Sequence, residues 1–285
     1  MLGELMRMKF GIGVAGTHGK TTTTSMVGLV VSEGGFDPTI IVGGKVAAFE
    51  SNAVAGEGDI IVIEADEYDR TFLRLTPTLA VVTSIEPEHL DVYRDLDDLM
   101  AAFRQFAGSV PFFGAAILCL DDPNVQALVG QLDRRVRTYG LARQAEIRAE
   151  NVRFEGFGSR FDVLLQGELL GTIQLQVPGL HNVRNALAAV AVGLELDIPF
   201  ECIQAGLARF TGSVVASSGW ARCTACWSST TTPTILRKSG PRWKRRPRSC
   251  PTGGWWPSSS RICTVARGTF RRTLPGLSWT PTCWW

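Results

Sequence analysis

The stretch Gly16-Thr17-His18-Gly19-Lys20-Thr21-Thr22-Thr23-Thr24 decides the fold of this 285-residue chain. An apolar run, Phe10–Ala15, leads into it, and Ser25-Met26-Val27-Gly28-Leu29-Val30-Val31 leads out. That order predicts a strand, a glycine loop and a helix. Small residues let backbone N–H groups close around an anion, and the helix start adds its positive end. A lysine followed by a threonine supplies a charge for outer phosphates and a hydroxyl for Mg2+. The loop is the short form G-T-H-G-K-T: Val14 stands where the longer pattern has its first glycine.

Outward from the loop, apolar runs alternate with helical spacing. Phe10–Ala15, Ile40–Gly44, Ile60–Ala65, Leu79–Ile85, Ala115–Leu120 and Val136–Tyr139 read as strands, mostly buried on both faces because they barely alternate. Thr21–Glu33, Leu96–Phe106 and Asn124–Leu132 carry helical spacing. Strand–helix alternation predicts a mainly parallel sheet covered by helices, with ligands gathering at the carboxyl ends of its strands. From Arg148 to Val177, Phe154, Phe161, Val163, Leu165, Leu169, Leu170, Ile173 and Leu175 recur among glycines, which predicts a small antiparallel sheet. His181-Asn182 then opens a strong helix, and Pro199–Phe210 reads as a shorter one.

The net charge of +2 conceals two regions. Through residue 212 there are 17 Lys+Arg against 27 Asp+Glu, a net of −10; from Ser213 on there are 12 Lys+Arg and no acid. All eight Trp and five of the seven Cys also fall in the last stretch. The remaining Cys119 and Cys202 lie in apolar settings that suit a reduced cytoplasmic protein. The first residues lack the apolar core of a secretory signal, and no run approaches the length of a membrane span.

Three further motifs follow strands or open a helix. Glu64-Ala65-Asp66-Glu67-Tyr68-Asp69 sets four carboxylates just past a buried strand; it reads either as a Mg2+ site or as an exposed acidic turn. Ser84-Ile85-Glu86-Pro87-Glu88-His89 holds one of only three histidines, the others being His18 and His181. His181-Asn182-Val183-Arg184-Asn185 places two amides at a helix start, suited to capping or to the donor–acceptor edge of adenine. For Asn182 alone, capping is the simpler expectation.

Read together, GTHGKTTTTSM, EADEYD, TSIEPEHLDVY and GLHNVRNALAA stand in the order and spacing of the Mur ligases, and residues 1–212 resemble that family. His18 favours its alanine-adding branch or the tripeptide-recycling one. Phe72-Leu73 and Pro111-Phe112-Phe113-Gly114 favour the former. The resemblance implies an α/β fold: a P-loop-type, mainly parallel sheet flanked by helices, with a small antiparallel sheet. It implies ATP and Mg2+ as cofactors, and UDP-N-acetylmuramate and L-alanine as substrates of the full-length family, joined through an acyl phosphate. Gly16, Thr17, His18, Gly19, Lys20, Thr21 and Thr22 would bind the nucleotide. Lys20 would meet the β/γ-phosphates; Thr21, Glu64 and His89 would hold the metal; Lys20, Glu64 and His89 would carry catalysis; Asn182 and Asn185 would sit at the adenine. Ser84 and Glu88 depart from the family, which often has Asn and Asp there.

The resemblance divides the chain into a linker remnant at 1–10, a central ATP-binding domain at 11–212 and a tail at 213–285. A substrate-holding domain before residue 1 is expected to be missing. The tail reads as out of frame. Thr230–Gly240 can be encoded so that a frame shifted by one base spells Asp-Asp-Tyr-Ala-His-His-Pro-Thr-Glu, and Ser258–Arg267 so that it spells Val-Phe-Gln-Pro-His-Leu-Tyr-Ser-Arg-Thr. Both are third-domain motifs of the family, and the junction falls near Gly212–Ser218. The expected tail is irregular, and Cys223 and Cys226 lack the matching pair of a zinc site. On this reading the chain is an inactive or nucleotide-binding-only fragment, with no specific nucleic-acid or membrane partner. A rival reading is a non-catalytic nucleotide-binding protein whose basic tail meets nucleic acid.

Overall fold

The computed structural model describes residues 2–46, 51–88, 91–214, 243–245 and 255–257. The chain divides into two units, Met1–Ala216 and Ser217–Trp285. The first unit is built on a mixed sheet of eleven strands. Its centre is parallel. β1 (Phe10–Ala15) lies between β4 (Ile60–Glu64) and β5 (Leu79–Val82). β2 (Thr39–Val46) continues beyond β4; β6 (Ala115–Cys119) and β7 (Val136–Gly140) continue beyond β5. β3 (Ser51–Val54) and β11 (Ser213–Val214) pair antiparallel with β2.

The antiparallel part is β8 (Ile147–Glu155), β9 (Gly158–Leu165) and β10 (Glu168–Leu175). It joins the parallel sheet through a short parallel pairing of β7 with β8, so the two parts expected as separate sheets are one. The signal for this union is absent from the sequence, because pairing between β7 and β8 rests on only Tyr139 with Ile147 and Gly140 with Arg148.

The central strands explain the near-continuous apolar runs. Alternate residues serve two cores. Ile12, Val14, Ile60, Val62, Leu79, Val81, Ala115 and Ile117 face one, with α2 (Lys20–Glu33), α5 (Leu180–Glu195) and α6 (Phe200–Ala208). Ile61, Ile63, Ala80, Val82, Ala116 and Leu118 face the other, with α1 (Leu2–Arg7), α3 (Leu96–Gly108) and α4 (Pro123–Val129). The stretch expected as a linker therefore contains a helix, and its buried Met6 packs where a Cβ on Gly11 would stand.

α3 shows how the second core forms. Leu99, Ala102, Phe103, Phe106 and Ala107 recur at helical spacing and are buried, while Asp95 caps the helix by accepting from the Asp98 N–H at 2.8 Å. Phe103 and Phe106 meet Phe72, from the turn Thr71–Arg74, at ring separations of 5.4 and 5.3 Å. α2 is instead buried continuously from Thr23 to Val31, held between the sheet, α5 and α6.

In the second unit, β12 (Trp243–Arg245) pairs antiparallel with β13 (Trp255–Pro257). The expected irregularity of the tail, and Cys223 and Cys226, otherwise lie outside the described residues.

Candidate phosphate-loop and metal site

β1 is where the strand order reverses: β4 and β2 lie to one side, β5 and β6 to the other. The loop Gly16–Gly19 leaves its carboxyl end and enters α2 at the position where open α/β sheets bind ligands. Gly16 has φ 138° and Gly19 has φ 80°, conformations that side-chain-bearing residues rarely adopt. Space forbids a Cβ as well. At Gly16 it would lie 2.1 Å from Thr83 Oγ1; at Gly19, 2.7 Å from Asn185 Oδ1.

The segment after β5 ties the loop down. The Thr17 N–H donates to the Ser84 carbonyl at 2.8 Å, and the His18 N–H to Ser84 Oγ at 3.1 Å. Thr83 Oγ1 donates to the His18 carbonyl at 2.6 Å, and the Glu86 N–H to Thr17 Oγ1 at 2.8 Å. His18 Nε2 stands 3.4 Å from Glu86 and 3.8 Å from Glu88, all three side chains about half exposed. Ser84 thus holds the loop with a hydroxyl, and its departure from the family pattern does not leave the loop without an anchor.

Thr21, in the first turn of α2, donates from Oγ1 to Glu64 Oε1 at 2.8 Å. The other Glu64 oxygen accepts the Gly43 N–H at 2.6 Å. A hydroxyl and a carboxylate side by side at the mouth of a phosphate loop are hard oxygen donors, the set that suits Mg2+. Among the described residues no group of three or more His, Cys, Asp or Glu gathers as a metal cluster. His89, the third expected ligand, lies outside the described residues. Thr22 follows in the same turn.

The four carboxylates of EADEYD separate by task. Asp66 accepts the Tyr68 N–H and Asp69 the Thr71 N–H, so both build the turn. Bonds from the Thr71 side chain and backbone hold the Asp69 carboxyl below the usual aspartate range. Glu64 meets Thr21. Glu67, named only as one of four acids from sequence, pairs with Lys20: Nζ lies 2.9 and 2.8 Å from its two oxygens. Lys20 also donates to the Gly16 carbonyl at 2.7 Å.

α5 reaches the loop through Asn185, which is 7% exposed and fills the space beside Gly19. Asn182 does not cap the helix. The N-cap position is Gly179, and Asn182 Nδ2 instead donates to the Pro178 carbonyl at 2.7 Å, fastening the chain that enters α5. The expectation failed because the helix begins at Leu180, two residues before Asn182. Sequence reading also passed over Asp121. From the end of β6 it accepts the Leu141 and Ala142 N–H groups at 2.9 Å and Arg184 Nε at 2.8 Å, joining α5 to the turn after β7. Its position just past a buried strand was the available signal.

A glycine cradle, a helix start, a lysine, and a threonine facing a carboxylate make this a candidate phosphate site on an α/β fold. Residues 14–193 match the Mur ligase middle domain, and the chain belongs to the Mur ligase family. It is 75% identical over 212 residues to the UDP-N-acetylmuramate–L-alanine ligase of Salinibacter ruber, a match covering 74% of this chain and 45% of that protein. The ligase of the same name from Syntrophotalea carbinolica is 53% identical over 212 residues, 74% of this chain and 46% of that one. The chain therefore spans about half the length of the curated relatives it matches. The solved UDP-N-acetylmuramate–alanine ligase of Thermotoga maritima superposes with a TM-score of 0.65 at 28% identity, covering 74% of this chain and 47% of that one. The Neisseria UDP-N-acetylmuramate:L-alanyl-gamma-D-glutamyl-meso-diaminopimelate ligase gives 0.66 at 28% identity, covering 73% and 68%.

Proposed function

We propose that this chain carries the ATP centre of a cytoplasmic UDP-N-acetylmuramate–L-alanine ligase of peptidoglycan precursor synthesis. The observation that carries this is the meeting of Lys20, Thr21, Glu64 and Asn185 around one glycine loop. The 75% identity to the Salinibacter ruber ligase supports the alanine-adding assignment.

The backbone N–H groups of the loop and the start of α2 receive the phosphates, and Lys20 adds charge against the β/γ-phosphates. Thr21 and Glu64, with His89, would hold Mg2+, and the bound ion would supply positive charge against the phosphates. The sugar carboxylate attacks the γ-phosphorus, and ADP leaves. The amine of L-alanine attacks the resulting acyl phosphate, losing a proton; phosphate departs and an amide remains. Asn182 and Asn185 belong at the adenine in this proposal; the support is that Asn185, in the second turn of α5, adjoins the loop.

The 285 residues by themselves bind ATP without completing ligation, because bringing three reactants together supplies much of the rate. The identity extends over 212 residues, the length of the acidic region before the basic, Trp-rich one. That supports the shifted-frame reading of 213–285. Calorimetric titration with ATP and Mg2+, and an assay for UDP-N-acetylmuramoyl-alanine, test both parts. Absence of ATP binding sinks the nucleotide reading; ligation at an ordinary enzymatic rate sinks the fragment reading. A second reading, tripeptide recycling, draws on the Neisseria structure. In a chain with the family frame restored, faster use of tripeptide than of L-alanine would favour it.

A further inference from the structure

The Lys20–Glu67 pair raises a question of donor supply. An ammonium has three N–H donors. Those of Lys20 are engaged within the protein by the Gly16 carbonyl and both Glu67 oxygens, with the Thr17 carbonyl also at 3.4 Å. A phosphate oxygen gains a donor from Lys20 only by replacing one of these acceptors. The two carbonyls belong to the loop itself, so Glu67 is the acceptor open to exchange. Its side chain is 2% exposed and that of Lys20 is 14% exposed, a setting in which charge interactions are screened far less than at the surface.

Glu67 is also held in place. Its carbonyl accepts the hydroxyl of buried Tyr93 at 2.6 Å. The Arg70 guanidinium lies 4.6 Å from the Tyr93 ring centre and pairs with Asp98 in the first turn of α3. Burial, the leading cause, pushes the Tyr93 phenol up to about 12, so it remains a donor at neutral pH. With its backbone held by Tyr93, Glu67 does not follow Lys20. Opening the pair falls to the lysine.

We propose that Glu67 is a positioning residue that restrains Lys20 and limits the loop's preference for polyphosphates over monophosphates; this rests on the nucleotide reading above. A ligand whose β- and γ-phosphates reach Lys20 draws it from Glu67. A ligand ending at the α-phosphate leaves the pair intact. Glu67 weakens binding of the first kind by competing for the ammonium and by repelling the added negative charge.

The test is calorimetric titration of the full chain and its Glu67→Gln variant with Mg·ATP and with AMP. A glutamine keeps the shape and one acceptor oxygen but removes the charge, and bonds between neutral and charged groups are weaker than those between two charges. Mg·ATP is expected to bind the variant about tenfold tighter, with AMP changed by less than about twofold. A pair that serves only stability predicts the opposite sign, weaker ATP binding as the loop loosens. Unchanged or weaker ATP binding by the variant, while the wild type binds, overturns the proposal alone. If neither binds ATP, the nucleotide reading falls and this falls with it. Binding by the variant only supports it. Thermal melting checks the fold; if Glu67→Gln does not fold, Glu67→Asp, one methylene shorter, is expected to tighten ATP about threefold. No gain there overturns the proposal.

Discussion

The strands β1, β4, β5 and β6 run parallel and lose both faces to helices, whereas β8, β9 and β10 run antiparallel and are buried over only part of their length. The connections differ accordingly. A parallel strand returns through a crossover, so successive carboxyl ends stand at one edge of the sheet and their loops converge. Gly16, Glu64, Thr83 and Asp121 are the products of that geometry. Hairpins send successive loops to opposite ends. The antiparallel region exposes Phe154, Phe157 and Leu169. Chemistry collects where topology repeats direction, and the antiparallel strands extend the core.

The largest effect tests whether that extension is part of the same folding unit. Phe103 under the parallel strands and Phe161 in β9 are both fully buried, in different cores. Phe103→Ala and Phe161→Ala are each expected to cost about 3–5 kcal/mol in denaturant unfolding. Each should keep one cooperative transition. If Phe161→Ala gave two transitions, β8–β10 would be a separate unit and the comparison would be between domains.

Next, Gly16→Ala strikes the convergent edge. The new methyl meets Thr83 Oγ1 and the Ser84 backbone, and φ 138° strains any side-chain-bearing residue. A loss of about 2–3 kcal/mol is expected, with ATP binding weakened at least about a hundredfold because the N–H cradle is displaced. Gly156→Ala, at a positive-φ turn with no atom within 4 Å of its Cβ, serves as the antiparallel control. It should leave ATP binding unchanged. Smaller again is Thr21→Val. It removes the hydroxyl beside Glu64 and should weaken ATP binding about tenfold in Mg2+ and much less in EDTA, by calorimetry. Equal loss in both conditions would remove Thr21 from the metal proposal.

The contrast also accounts for what could be read in advance. β1 was expected at Phe10–Ala15 and stands there, since strand, glycine and helix signals are all local. Glu64 was legible because it follows a buried run. Glu67 was not: its pairing with Lys20 spans 47 positions and depends on how β4 lies beside β1. Asn182 misled because caps are judged by residue type, while the helix start was set by Gly179 at φ 105°. The continuity of the sheet was hidden for a related reason. Strand pairing is long-range, and neither β7 nor β8 carries a mark of its neighbour.

The smallest effect concerns His181, at the parallel edge where α5 begins. Its ring lies over Gly179, where a Cβ would stand 2.5 Å from Cε1. Partial desolvation, and then the positive charge of Arg184, lower its pKa from 6.5. The folded chain therefore binds this proton less readily than the unfolded chain. Below pH 6.5 the unfolded state takes up more protons, so stability falls as pH falls towards the lowered value and is fully present above 6.5. His181→Gln should remove that component of the pH dependence while leaving stability near pH 8 almost unchanged. Denaturant unfolding at several pH values between about 5 and 8 measures it, and subtraction of the variant isolates it from His18 and His89. A wild type that gains stability over the variant on acidification would reverse the sign and show that His181 is held charged in the folded chain, against the burial and the Arg184 charge that surround it.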